Sequence, residues 1–337
     1  MFANEDYDLK FESLCDKLNL YKEIHVAYAA GEKNMKNEQF TSFDGTVLQC
    51  YLWDDVKDAK GVVQISHGMA EHATRYDDFA KFLNANGFIV FADDHRAHGA
   101  TSPLSPRGNK GYHPGDIYND TVRDEVAITK ALKERFGLPV VYLGHSYGSM
   151  VGQRYIEEDQ EHVGAILCGS ACQKGALLSV GCMLANCLYS KDGDKRADLL
   201  DKITFGAYNK PYQAEGDFGW LSRDRKQVEK YIADDECGYV MTVAFFKFFL
   251  NGLKASYKKA NLAKIDVKKP IALFSGDHDP VGGNGKLVEK LYEQYHKLGV
   301  ENLSITLYEG GRHEILNEIN NKDVYNDFLE KLNEFIA

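Results

Sequence analysis

The sequence predicts an α/β fold: a mostly parallel sheet with helices on both faces and a helical insertion over one edge. Three observations carry this. Short apolar runs of strand length alternate with amphipathic stretches of helical period along most of the chain. The run 140–143 leads into Gly144-His145-Ser146-Tyr147-Gly148, a G-x-S-x-G pentapeptide, and then into a helical pattern through Met150, Val151 and Tyr155. The alternation stops between about Cys172 and Ser256, where no strand pattern is visible and the gap is far longer than an ordinary crossover.

Taken in order, residues 1–37 form an N-terminal extension of unknown role, in which Phe11, Leu14, Leu18 and Tyr21 could make one helical stripe. Residues 39–43 and 47–53 flank Asp44-Gly45, a hairpin signal suited to a sheet edge. Residues 61–66 read as a buried strand, and Phe79, Phe82 and Leu83 line a helix ended by Gly87. Strand 88–92, helix 116–136, strand 140–143 and strand 163–167 follow. After the insertion come strands 270–274 and 303–308 around a helix at 286–296, and an amphipathic helix at 322–336 closes the chain. The expected division is thus an α/β core at 38–172 and 257–337 and a helical cap at 173–256. Such sheets hold their ligands at the carboxyl ends of the strands, where the cap would sit.

Composition narrows the function. The chain has 337 residues, 44% of them hydrophobic, and a formal net charge of −10 with no basic run at either terminus. That argues against nucleic acid, which needs clustered Lys and Arg. Six lysines between Lys254 and Lys269 read as a solvated face and imply at most transient contact with a membrane surface. The acidic start lacks the apolar segment of a secretory signal. Seven cysteines, an odd number without a regular framework, suggest free thiols in a reducing compartment, so a cytoplasmic location is expected. Cys168 and Cys172 have no further ligand at zinc spacing, and no metal or cofactor is expected. The sequence leaves the oligomeric state open.

The chemistry centres on Ser146. In a strand–turn–helix context G-x-S-x-G lifts a serine out of a strained turn, and the flanking glycines let strand and helix approach. A serine hydroxyl needs a base, and the base needs a carboxylate to hold its tautomer. The candidate bases after Ser146 are His162, His278, His296 and His313. His162 lies at the wrong end of a strand and His296 on a polar helix face. His313 follows strand 303–308 at its carboxyl end and is favoured. Ser275-Gly276-Asp277-His278-Asp279 offers Asp277 and Asp279, and Asp279, fixed by Pro280, is favoured as the acid. Asp277 and His278 are then turn residues. Oxyanion donors are expected from the backbone N–H of Tyr147 and, in the loop after strand 61–66, of Met69, with Gly68 or Ala70 open as alternatives. His67 and His72 beside that loop suit structural hydrogen bonds better than a metal.

These residues fall in blocks that resemble the α/β-hydrolases of the monoacylglycerol lipase and lysophospholipase type, often labelled serine aminopeptidase-like. The blocks are His67-Gly-Met-Ala-Glu-His72 with Arg75-Tyr76, Asp94-His-Arg-Ala-His-Gly99, Gly144-His-Ser-Tyr-Gly148, Ser275-Gly-Asp-His-Asp279 and Gly310-Gly-Arg-His-Glu314. Residues 218–224 and 235–238 look like bacterial members called lysophospholipases. The resemblance covers about residues 40–337. It implies the α/β-hydrolase fold, Ser146 as nucleophile, Asp279 as acid, His313 as base, and Met69 and Tyr147 as oxyanion donors. One departure is Ala97, where the family usually has glycine; only modest backbone tolerance is expected there.

The leading functional expectation is a serine hydrolase of lipid-like carboxylic esters, acting on a small-molecule substrate with an acyl chain. Leu177, Leu178, Val180, Met183 and Leu184 of the cap are candidates to meet that chain. One alternative is an aminopeptidase on short peptides, which would need Glu215, Asp217, Asp234, Asp235 or Glu236 to hold a free amine. Another is a catalytically silent binding module, disfavoured because all three triad candidates are present.

Overall fold

The computed structural model describes residues 35–104, 110–158 and 161–337. The stripe expected at Phe11 to Tyr21 lies outside the described residues. Eight strands, β1 (Lys36–Thr41), β2 (Val47–Trp53), β3 (Gly61–Ser66), β4 (Phe88–Asp93), β5 (Val140–His145), β6 (Gly164–Cys168), β7 (Ile271–Gly276) and β8 (Leu303–Tyr308), form one sheet in the order β1-β2-β4-β3-β5-β6-β7-β8. The β1–β2 hairpin turns at Asp44-Gly45 and is antiparallel, as is β2 with β4; every other pair is parallel. β1 is therefore the edge that the Asp-Gly signal suggested, and it starts two residues inside the stretch assigned to the extension.

Nearly continuous apolar runs make β3, β4, β5, β6 and β7 buried on both faces. Helices α1 (Asp77–Ala85), α2 (Ile117–Phe136) and α3 (Tyr147–Glu158) precede the insertion. In the insertion lie α4 (Ala176–Asp192), α5 (Asp198–Phe205), α6 (Arg225–Ala233) and α7 (Val243–Ser256), with α8 (Lys286–Leu298) and α9 (Asn321–Ile336) after it. On one face Phe79 and Leu83 of α1 pack with Phe328 and Leu332 of α9; on the other, Val122, Met150 and Val151 pack with Phe245, Phe249 and Leu291. Each such side chain, taken fully out of water, contributes roughly 1.5–3 kcal/mol. α2 begins where Asp116 accepts from the Asn119 N–H and ends at Gly137 with φ 65°.

Two strands reach further than their apolar runs. β5 continues through His145, and β7 continues to Gly276, which pairs with Tyr308. Small and polar residues stay in the ladder there because the parallel neighbours still offer backbone partners. Of the cysteines expected as buried thiols, Cys50, Cys168, Cys172 and Cys182 are buried and free, but Cys187 is exposed and Cys237 half-buried. No helix among the described residues is long and apolar enough to cross a membrane.

The insertion lies on the carboxyl-end loops of the sheet. Gly238 N–H and the Tyr231 hydroxyl both donate to Ala70 O in the loop after β3, at 2.9 and 3.1 Å. The N–H groups of His313 and Glu314, after β8, donate to Trp220 O and Leu221 O. Ala97 adopts φ 66°, a left-handed backbone that its methyl disfavours, so the substitution of the usual glycine asks for more than modest tolerance.

Candidate active site

β5 drives straight into a turn in which Ser146 has φ 51°. A non-glycine residue there is strained, and the surroundings hold it: Ser146 N–H donates to Cys168 O at 2.9 Å. Gly144 and Gly148 are glycine for lack of room. A Cβ on Gly144 would lie 2.4 Å from Gly148 O, and one on Gly148 would lie 2.1 Å from Ser66 O. The turn thus brings β5, α3 and β3 together beneath the Ser146 hydroxyl.

Ser146, His313 and Asp279, far apart in sequence, converge here. His313 Nε2 is 2.8 Å from Ser146 Oγ. His313 Nδ1 is 3.0 Å from Asp279 Oδ2. Asp279 is fully buried and further held by the Val281 N–H at 2.8 Å and Ser275 Oγ at 3.3 Å. Asp277 instead pairs with His278 and accepts from Gly310 N–H, a local turn arrangement. His162 is buried before β6, and His296 is exposed on α8.

In the loop after β3, Gly68 N–H is held by Glu71 Oε1 at 2.5 Å, so Gly68 is not free to donate elsewhere. Among the described residues no hydrogen bond engages the N–H of Met69 or Tyr147. His67 accepts from His95 N–H and stacks on the His95 ring, centroids 4.0 Å apart. Burial opposes charge on His95, but Asp93 and Glu125 beside it raise its pKa to about 9. His72 reaches across to Asp234 of the insertion at 2.8 Å. The groups Asp93, His95, Glu125 and His72, Asp234, Cys237 have the ligand types for a metal, and in each the histidine is hydrogen-bonded to its aspartate.

The four leucine and methionine candidates of α4 do not share a face. Leu178 is buried and Leu184 packs on the same core, whereas Leu177 and Met183 are 79% and 63% exposed, with Val180 beside them on the outer side.

Residues 57–320 match the profile of the family described as serine aminopeptidase, S33. The chain belongs to this family. It is 28% identical over 295 residues to a monoacylglycerol lipase of Mycolicibacterium smegmatis, covering 86% of this chain and 93% of that protein. It is 25% identical over 303 residues to monoglyceride lipase of Homo sapiens, covering 87% and 88%. Among solved structures, a thermostable carboxyl esterase from Bacillus coagulans in complex with glycerol superposes with a TM-score of 0.81 at 26% identity, over 91% of this chain and all of that one. The fold is that of the α/β-hydrolases.

This S33 family member also carries a buried polar network beneath His313. Arg75 forks onto Glu314 at 2.9 and 2.7 Å and also bonds Glu71; Glu71 lies 3.3 Å from His145 Nδ1; and His145 Nε2 lies 3.3 Å from the carbonyl of His313. Burial disfavours charge on Glu71, yet Arg75 and His145 hold its carboxyl well below the usual range. The backbone of His313 therefore rests on a buried ionic chain. Its members sit inside the motif blocks as charged residues, which is the only signal the sequence offered. Trp220, within the 218–224 block, has its ring 5.1 Å from that of His313 between centroids.

Proposed function

We propose that this chain is a carboxylic-ester hydrolase of lipid-like substrates, of the monoacylglycerol or lysophospholipid type, working through an acyl-enzyme on Ser146. The observation that carries the reading is the 2.8 Å contact of Ser146 Oγ with His313 Nε2, with buried Asp279 behind the imidazole. His313 takes the Ser146 proton as Oγ attacks the ester carbonyl. The Met69 and Tyr147 N–H groups receive the oxyanion, in keeping with their lack of other partners among the described residues. His313 then protonates the leaving alcohol, and water, activated by the same imidazole, releases the acid. These steps call on no metal or organic cofactor.

The names of the relatives support an acyl glycerol or similar ester as substrate. Residues 173–256 serve as a cap, with Leu178 and Leu184 on the inner side of α4 and Leu177 and Met183 at its rim for an entering acyl chain. An aminopeptidase is disfavoured by a specific observation. Of the acids that could hold a free amine, Glu215 is paired with Arg312, Asp234 with His72 and Glu236 with Lys110, and Asp217 and Asp235 are exposed.

Labelling by a fluorophosphonate, with Ser146→Ala as control, tests the nucleophile: wild type is labelled and the variant is not. A panel of p-nitrophenyl esters, monoacylglycerols, lysophospholipids and aminoacyl anilides tests the substrate class. Turnover of the anilides above the esters would overturn the esterase reading.

A further inference from the structure

Arg312, immediately before His313, is 9% exposed and fully engaged with the insertion. Its guanidinium forks onto Glu215 at 2.8 and 2.8 Å and donates to Gly219 O at 2.5 Å and Ser222 O at 3.3 Å. It also lies over the Tyr212 ring, 4.0 Å from the centroid. The Tyr212 hydroxyl in turn donates to His278 O at 3.2 Å, one residue before Asp279. Trp220 O accepts from His313 N–H, and the Trp220 ring lies beside the imidazole. One strap of the insertion, residues 212–222, is thus fastened to the loop of the base and to the loop of the acid.

We propose that Arg312 is a positioning residue: by clamping this strap through Glu215 and Tyr212 it sets the orientation of His313 between Ser146 and Asp279. The inference rests on the reading of His313 as the base. Its physical basis is the rigidity of the fork. A planar guanidinium with a bidentate carboxylate, two carbonyls and an aromatic face has little freedom, and a lysine could satisfy only part of that set. The next peptide belongs to His313, so freedom lost at Arg312 is freedom lost at the imidazole. The strap is then part of the catalytic frame as well as a roof over the substrate.

The test uses the full chain and the variants Glu215→Gln, Tyr212→Phe, Arg312→Lys and Arg312→Ala. Their unfolding midpoints are measured beside kcat and KM on p-nitrophenyl acetate and octanoate, and the rate of fluorophosphonate labelling at Ser146 is followed. Misplacement of a catalytic group by about 1 Å lowers rate by up to about 100-fold. Arg312→Ala is expected to lower kcat by about 10–100-fold with KM within about threefold. Arg312→Lys and Glu215→Gln fall between it and wild type, and labelling slows in parallel. The loss is the same for the two esters, because the defect is in the imidazole and not in chain binding. Should Arg312→Ala not fold, Glu215→Gln and Tyr212→Phe, which alter half-exposed or exposed side chains, decide the matter. Folded Arg312→Lys and Glu215→Gln proteins that label at the wild-type rate would overturn the positioning role, as would a loss confined to the octanoate. A wild-type protein that is not labelled at all would instead remove Ser146 as nucleophile, and this inference with it.

Discussion

The rings of His145 and His313 lie side by side, their centroids 5.0 Å apart, and His145 Nε2 faces the His313 carbonyl at 3.3 Å. The residue before the proposed nucleophile therefore supports the residue proposed as the base. What supports His145 is Glu71, and behind Glu71 stand Arg75 and Glu314.

This chain makes stability depend on pH in a definite direction. Burial disfavours charge on His145, but the hydrogen bond and charge of Glu71, with Glu314 behind, raise its pKa. A group raised in the fold stabilises below its unfolded value, about 6.5 for histidine, and that contribution is lost as pH rises through the folded value. Glu71, held low by Arg75 and His145 against its burial, stabilises above the unfolded carboxylate value of about 4.3 and loses this as pH falls through its folded value. Both contributions coexist between those limits. Glu71→Gln is expected to destabilise by about 3–5 kcal/mol near pH 5.5, because Arg75 and His145 lose a buried partner. At a pH above the raised folded value of His145 the gap shrinks by on the order of 1 kcal/mol, because the imidazole is then neutral. Denaturant titrations at the two pH values measure it; an unchanged gap would assign the whole effect to Arg75.

The two carboxylates of the 275–279 turn differ sharply in surroundings. Asp279 is fully buried beneath His313, whereas Asp277 pairs with an exposed histidine and caps Gly310 N–H. Asp279→Asn keeps the volume but offers the imidazole the wrong partner, and kcat is expected to fall by about 10⁴-fold. Asp277→Asn keeps an acceptor for Gly310 N–H and stays within a few-fold of wild type. Steady-state kinetics on one p-nitrophenyl ester compare them, and equal losses would unseat Asp279 as the acid.

The sheet and the meeting of Ser146, Asp279 and His313 were legible because apolar strand runs and small-residue turns leave a local signature. Val62, Val90, Leu143 and Leu167 mark their strands by burial alone, and Gly144 and Gly148 mark the elbow by the contacts they permit. The support around the site left no such trace. Arg75 and Glu314 are 239 residues apart, and Arg312 and Glu215 are 97 apart, so only the folded chain makes them partners. Charged residues in a window of sequence read as solvated faces by default, yet Glu314 and Arg312 are buried, and exposed Glu215 is tied to Arg312. The aspect of α4 was also hidden: nearly all its residues are apolar or small, so periodicity could not say that Leu178 turns inward and Leu177 outward.

Gly148→Ala tests the elbow directly. The added methyl would lie 2.1 Å from Ser66 O and 2.7 Å from His67 O, both backbone atoms, so no side chain can swing aside. Either α3 or β3 must move, and both carry the site: Ser66 leads into the Met69 loop and Tyr147 starts α3. Loss of fluorophosphonate labelling by at least about 100-fold is expected even in whatever fraction folds. Near-normal labelling would mean that the approach of α3 to β3 is looser than these distances require.

Ala97→Gly is the opposite case, in which terms of similar size compete. The φ of 66° is left-handed, and relief of that strain favours glycine by about 1–2 kcal/mol. Against it stand the greater freedom of glycine in the unfolded chain, about 0.5–1 kcal/mol, and the loss of one buried methyl, about 0.8 kcal/mol. Ala97 is 1% exposed, so the methyl counts in full. The sum lies within about 1 kcal/mol of zero, and the unfolding free energy of Ala97→Gly is expected to match wild type to that margin. Arg96 on one side holds Asp124 and Asp44, and Ala97 O accepts from Gly111 N–H and the Tyr239 hydroxyl, so the backbone keeps its course with either residue. A destabilisation beyond about 2 kcal/mol in denaturant melts would show that the methyl contributes packing that outweighs the strain it imposes.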